Sequence, residues 1–143
     1  MQPIQATDAF AIAELELELF PDNCLNWKTL ESEIQHGKGF VVYEGNRLVG
    51  YLLARTSGDL TDILRLGVCP DKQGLGYAHR LIQALLQSFQ ESHKVMLTVR
   101  KRNDRAIHFY RRYGFVIVGQ LHDSWMMILH ADSPVIVAAR ASV

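Results

Sequence analysis

Two stretches of this sequence carry residue types and spacings that can do chemistry. The first is Val68-Cys69-Pro70-Asp71-Lys72-Gln73-Gly74-Leu75-Gly76-Tyr77-Ala78. Gly74 and Gly76 allow positive φ and close approach of the backbone to a ligand. They stand between an apolar strand and the first turn of a strongly amphipathic helix. Unbonded N–H groups and the positive end of the helix dipole converge there on a ready anion site. A Gly-x-Gly pair is also ordinary turn chemistry. Two phosphate-binding patterns are excluded. The Walker loop ends in Gly-Lys-Ser/Thr, which is absent. The dinucleotide fingerprint needs a third glycine, a place Ala78 holds only loosely, and an acidic residue about 20 positions on, which is missing.

The second stretch is Asn103-Asp104-Arg105-Ala106-Ile107-His108-Phe109-Tyr110-Arg111-Arg112-Tyr113-Gly114-Phe115. Taken alone, Ala106, Phe109, Tyr110 and Tyr113 form a core stripe, and Gly114 a helix C-cap. In this order and spacing the two stretches together resemble the GNAT acetyltransferases. Gln73 to Ala78 matches the Gln/Arg-x-x-Gly-x-Gly/Ala signature, and Ile63 to Pro70 resembles the family's strand with its Val-x-Pro exit. Asn103, Ala106-x-x-Phe109-Tyr110 and Gly114-Phe115 match the second signature. The likeness spans roughly residues 4–130. It is greatest to the bacterial ribosomal-protein alanine N-acetyltransferases, through Val99-Arg100-Lys101-Arg102-Asn103, Phe20-Pro21 and Trp27.

The resemblance implies acetyl-CoA as cosubstrate and a primary amine as acceptor, a protein N-terminus or a small molecule, attacking directly in a ternary complex. Gln73 and the backbone of Gly74, Leu75, Gly76, Tyr77, Ala78 and His79 would hold the pyrophosphate. Leu66, Gly67 and Val68 would pair with the pantetheine arm as an added strand, and Asn103 would hydrogen-bond it. Tyr110 would place its hydroxyl near the sulfur, where a protonated phenol with an ordinary pKa of ~10 can donate to the departing thiolate. The Val68 backbone would steady the oxyanion.

One position departs from the pattern. The family's glutamate before Val-Arg, a general base, is Thr98 here, which cannot deprotonate an ammonium. Asp62 is the first substitute as base, on the strand beside the thioester, acting through water; its alternative is a strand-edge surface carboxylate. His122 is the second, with an ordinary pKa of ~6.5. The connection Gly119 to Trp125 is also short, where relatives often carry a Tyr-Tyr segment that grips a peptide. The remaining histidines lack metal-ligand spacing, and no metal is expected.

The elements that must position these groups follow from periodicity. Helices are expected over 8–19 and from Asn26 to about His36, and a hairpin over 40–55 with its turn at Glu44-Gly45-Asn46. A strand follows over 62–68. The clearest helix has Ala78, Leu81, Ile82, Leu85, Leu86 and Phe89 on one face. Strand 95–99, helix 104–113 and strands 115–121 and 125–129 complete the order ααβββαβαββ. This predicts an α+β fold with a mixed, mostly antiparallel sheet covered by helices on both faces. Residues 1–143 read as a single domain, with 131–143, apolar at Val135-Ile136-Val137, as an extra strand or tail.

Composition bounds the function. The chain has 143 residues, enough for one substantial core, and 48% of them are hydrophobic. Cys24 and Cys69 lack CxxC spacing, which speaks against a disulfide scaffold or zinc site. No apolar run approaches the ~20 residues of a membrane span, and no signal peptide is read, so a cytoplasmic protein is expected. Zero formal net charge gives no nucleic-acid footprint. The charge is nonetheless divided, with five Lys/Arg against eleven Asp/Glu in residues 1–71 and ten against four in 72–143. Two other classes stay open on the residues alone: an acetyl-CoA-binding regulatory module without turnover, and an interaction domain whose glycine loop is empty.

Overall fold

The computed structural model describes residues 1–89 and 93–130; the expected strand or tail over 131–143 lies outside them. Strand β1 (Gln2–Pro3) and a 3-10 turn (Ala6–Asp8) precede helices α1 (Ala9–Leu19) and α2 (Trp27–His36). Strands β2 (Lys38–Glu44), β3 (Arg47–Ser57) and β4 (Leu60–Val68) follow, then a 3-10 turn (Pro70–Lys72) and helix α3 (Tyr77–Gln87). The described chain closes with β5 (Lys94–Arg100), α4 (Asp104–Tyr113), β6 (Val116–Leu121) and β7 (Ser124–Leu129). Among the described residues one seven-stranded sheet has the order β1-β2-β3-β4-β5-β7-β6. The α+β expectation therefore holds, with β1 added. Two residues, one a proline, carry no alternation to read, and Pro3 is accommodated because β1 lies at the sheet's edge against β2.

The chain divides into two compact units, Met1–Arg55 with Leu64–Leu85, and Thr56–Ile63 with Leu86–Val143. In the first unit, Ile12 and Leu15 of α1 and Leu30 and Ile34 of α2 pack with Val41, Val49, Tyr51 and Leu53 of β2 and β3. Helices cover both faces of β3. Tyr51 hydrogen-bonds Glu16 of α1, whereas a Cβ on the preceding Gly50 would lie 3.3 Å from Leu81 of α3. Neighbouring strand residues point to opposite faces. Of the α3 stripe, Leu81, Ile82, Leu85 and Leu86 are wholly buried and Phe89 nearly so. Each such side chain contributes roughly 1.5–3 kcal/mol.

Glu16 is the buried charge of this unit, with no exposed surface. Its Oε1 accepts from the Leu25 N–H at 2.9 Å and the Arg65 Nε at 3.2 Å, and its other oxygen from the Tyr51 hydroxyl. Arg65 also lies 4.5 Å over the Phe20 ring. One carboxylate thus ties α1, the α1–α2 connection, β3 and β4 together. Burial, with the Glu16 charge adding to it, pushes the Tyr51 hydroxyl far above its ordinary pKa.

In the second unit the sheet has one buried and one open side. Val95, Leu97 and Val99 of β5 and Met127 and Leu129 of β7 are buried. The intervening residues of both strands are partly or fully exposed. A polar chain runs from the exposed Thr56 to the buried Thr61 and His93, with oxygen–oxygen and oxygen–nitrogen separations of 2.8 and 2.7 Å.

Candidate active site

The glycine loop is built as its residues require. Gly74 and Gly76 have φ of 82° and 92°, a region L side chains rarely enter. A Cβ on Gly76 would meet nothing within 4 Å, so the space in front of that backbone is open. The first internal hydrogen bond of α3 runs from the Arg80 N–H to the Gly76 carbonyl at 3.0 Å. The N–H groups of Tyr77 and Ala78 therefore precede the helix ladder and have no carbonyl partner within it. Open space, a helix N-terminus and two glycines fit a pyrophosphate.

Several side chains hold this loop. Gln73 Nε2 donates to the Val68 carbonyl at 3.0 Å, which ties the loop to the exit of β4. The β2–β3 hairpin grips it from outside. Arg47 forks onto both oxygens of Asp71 at 2.9 and 2.7 Å, and Glu44 pairs with Lys72 at 2.8 Å and with the Tyr77 hydroxyl. The Arg47 guanidinium lowers the Asp71 pKa, and hydrogen bonds from Lys72 and Tyr77 lower that of Glu44. These hairpin contacts are not legible in the sequence. Glu44 and Arg47 lie more than twenty residues from their partners. Just before the loop, a Cβ on Gly67 would lie 2.6 Å from the Tyr51 ring and 2.8 Å from Leu19, so this position has no room for a side chain.

Asp62 is the last residue of β4 in register with β5. The parallel ladder pairs Leu60 with Lys94, Thr61 with Val95 and Asp62 with Met96, and then ends, although β5 runs on to Arg100. Residues in register share a face, so Asp62 lies on the side of Met96 and hence of Thr98, two residues on. The base substitute and the position it replaces thus share the open side. His122 does not join them. It stands at the β6–β7 turn with φ of 53°, at the level of Lys101, whose N–H donates to the Asp123 carbonyl at 2.8 Å. That is five or so residues past Met96, roughly 17 Å along the strand.

Asn103 caps α4. Its Oδ1 accepts from the Ala106 N–H at 3.2 Å, so the side-chain amide N–H groups are what it can offer a ligand. Gly114 takes the left-handed conformation at φ of 114° and ends the helix. The buried Phe115 then stacks edge-on against Tyr110, with centroids 5.6 Å apart. Tyr110 keeps part of its surface open. Desolvation pushes its hydroxyl up to about 12. Among the described residues, no group of three or more His, Cys, Asp or Glu can hold a metal, and no helix is long and apolar enough to cross a membrane.

Comparison with known proteins bears on the family and the fold. The acetyltransferase (GNAT) family profile matches residues 8–115. The N-alpha-acetyltransferase RimI of Mycobacterium tuberculosis (strain ATCC 25618 / H37Rv) is 38% identical over 122 residues, covering 78% of this chain and 75% of that protein. The fold is shared with the ribosomal-protein-S18-alanine N-acetyltransferase of Escherichia coli, with a TM-score of 0.80, 18% identity and coverage of 92% and 93%. It is shared too with the PaiA N-acetyltransferase of Thermoplasma acidophilum, solved with coenzyme A, with a TM-score of 0.72, 13% identity and coverage of 91% and 99%. A coenzyme-binding module without turnover gains no support from these matches. The glycine loop, the interrupted β4–β5 ladder and the family match lead to one conclusion: the chain belongs to the GNAT family and is an acetyl-CoA-dependent N-acetyltransferase of the RimI type.

Proposed function

We propose that the acceptor is the free α-amine of a polypeptide, that the transfer is direct, and that Asp62 is the base. The observation that carries this reading is the end of the β4–β5 ladder after the Asp62–Met96 pair. It leaves a carboxylate where the two strands stop pairing, on the side that the missing glutamate of position 98 would share. The 38% identical relative is named for α-amine acetylation, which favours an N-terminus over a side-chain or polyamine acceptor. The enzyme is read as one domain, since the family profile takes in residues of both compact units, and as cytoplasmic, since no signal peptide is read in the sequence.

In this scheme acetyl-CoA is a substrate consumed at each turnover. The backbone of Gln73 to His79 holds its pyrophosphate, the Gln73 side chain bracing the loop against Val68. The Leu66–Val68 backbone and the Asn103 side-chain amide hold the pantetheine arm. Asp62 takes a proton from the acceptor ammonium, through water, so that the nitrogen lone pair can form the new C–N bond. The Val68 N–H faces the carbonyl oxygen as it gains charge, a contribution typically of about 100- to 1,000-fold. The C–S bond then breaks as the nitrogen gives up its second proton to solvent, with the Tyr110 hydroxyl directed at the sulfur. A hydroxyl raised to about 12 holds its proton well beyond an ordinary thiol, whose pKa is ~8.5. Tyr110 therefore stabilises the departing thiolate mainly as a hydrogen-bond donor, and solvent supplies the final proton.

The test is coenzyme A thiol release across peptide N-termini, polyamines, amino acids and aminoglycosides. Peptides are expected to turn over, Asp62→Asn to lower kcat on them by about 100- to 10,000-fold, and Tyr110→Phe to lower it less. Turnover confined to polyamines or aminoglycosides would overturn the acceptor. Full activity in Asp62→Asn would overturn the base.

A further inference from the structure

The open side of the second unit's sheet has a definite composition. Register places Met96 beside Ile128, Thr98 beside Met126 and Arg100 beside Ser124. On the other flank of β7, Ile128 faces Val116 and Met126 faces Gly119. Val118 is the extra residue of a bulge between Ile117 and Gly119, and that shift is what brings a glycine opposite Met126. Met126 is thus flanked across both strands by Thr98 and Gly119, and along its own strand by Ser124 and Ile128. The Met126 sulfur lies 4.0 Å from where a Gly119 Cβ would be. Three of these four neighbours are small; Val118, which alternation from Ile117 puts on the same side and which is 51% exposed, adds an apolar rim to a shallow trough with a thioether floor. Thr98 is exposed, Met96, Met126 and Ile128 are partly so, and Val116 is 51% exposed.

From this trough we infer the substrate preference of the enzyme: the residue that bears the acceptor amine has a long, apolar side chain, of methionine or leucine type, which lies on Met126 between Thr98 and Gly119. The inference rests on the acetyl-transfer reading and on Asp62 as its base. Two residues along and one strand across, the Cα of Thr98 is about 8 Å from that of Asp62, and Met126 about 12 Å. An ammonium at Asp62 and one extended side chain span that gap. Charge complementarity points the same way. Among the described residues Asp62 is the one carboxylate on this side of the paired strands, and Asp123 stands at the turn, 3.7 Å from Arg100. A second positive charge on the acceptor residue finds no partner, whereas Met96, Met126 and Ile128 offer apolar, adaptable surface. Thr98 in place of a glutamate is part of this device. A carboxylate there would stand beside the Met126 floor and charge it.

Gly119 supplies the test. Its φ is not in the positive region and a Cβ there meets only ordinary contact, so a larger residue is compatible with the fold. Peptides differing only in the first residue, Met, Leu, Phe, Ala, Gly, Asp or Lys, would be compared by kcat/KM in the full chain. The native enzyme is expected to favour Met and Leu over Ala and Gly by about ten-fold or more, the scale of a methylene or two in an apolar site. Gly119→Leu is expected to reverse the order, lowering kcat/KM for Met and Leu at least ten-fold more than for Ala and Gly. Met126→Ala deepens the trough and is expected to shift preference toward Phe. Melting temperature and light scattering would accompany each variant. Preference for Gly, Ala or a charged first residue, or an equal loss on all peptides in a folded Gly119→Leu, would overturn the trough while leaving acetyl transfer intact. So would a changed oligomeric state with an unchanged acceptor order, which would assign the face to self-association. Activity on no peptide would overturn both readings.

Discussion

The glycine loop in the first unit and the open sheet side in the second solve opposite problems. In the proposed scheme the loop binds through backbone, while four of its side chains are taken up in braces: Gln73 to Val68, Asp71 to Arg47, Lys72 and Tyr77 to Glu44. The open side presents side chains from three strands, and their neighbours are chosen by register. A backbone site has little to vary and suits a cosubstrate common to a whole family. A side-chain site changes with a single substitution, such as threonine for glutamate at 98, and suits the acceptor, which differs between members.

The most severe way to break the contrast is Gly76→Glu. It forces a side chain into φ of 92° and points a negative charge into the open space before the helix. Acetyl-CoA affinity is expected to fall more than 100-fold by calorimetric titration, an outcome the open-side variants do not share. An unchanged affinity would remove the loop from the coenzyme site.

Next in size is Glu16→Ala. It leaves the Leu25 N–H, Arg65 and Tyr51 without their shared acceptor in a buried setting. Losing one partner of a buried ion pair costs about 3–5 kcal/mol. Chemical denaturation is expected to report a loss near the lower end, since Arg65 is partly exposed. A loss below 1 kcal/mol would mean that the polar braces of the first unit are not what holds it together.

The smallest effect is alkaline and touches both units. Burial raises Tyr43, Tyr110 and Tyr113 to about 12, and Tyr51 further. The unfolded chain releases these protons near pH 10, whereas the fold retains them. The folded state then binds more protons than the unfolded one, so stability falls as pH rises above 10. Melting temperature is expected to hold from pH 8 to 9.5 and decline toward pH 11, and less steeply in Tyr51→Phe. A flat profile to pH 11 would show that the hydroxyls are less desolvated than the packing implies.

Much of this molecule could be read locally. The α3 stripe, the hairpin turns, the Gly114 cap and the glycine loop are short-range patterns, and each formed where its residues require it. The likeness to the family rests on such patterns. Strand β1 was not readable, because two residues that pair with β2 have no period of their own. His122 was plausible by type, and the turn that holds it lies far along the strand from Asp62.

The sequence by itself determined the backbone half of the site, because positive φ and a helix start are set by residues adjacent in the chain. It also flagged Thr98 as an odd residue. Only the tertiary structure decided what Thr98 stands beside. That Asp62 ends a ladder, that Met126 lies between Thr98 and Gly119, and that Glu44 and Arg47 grip a distant loop all depend on strand register and pairing. A one-residue slip would reverse every one of those faces, and register is fixed by the whole packed core rather than by any local run.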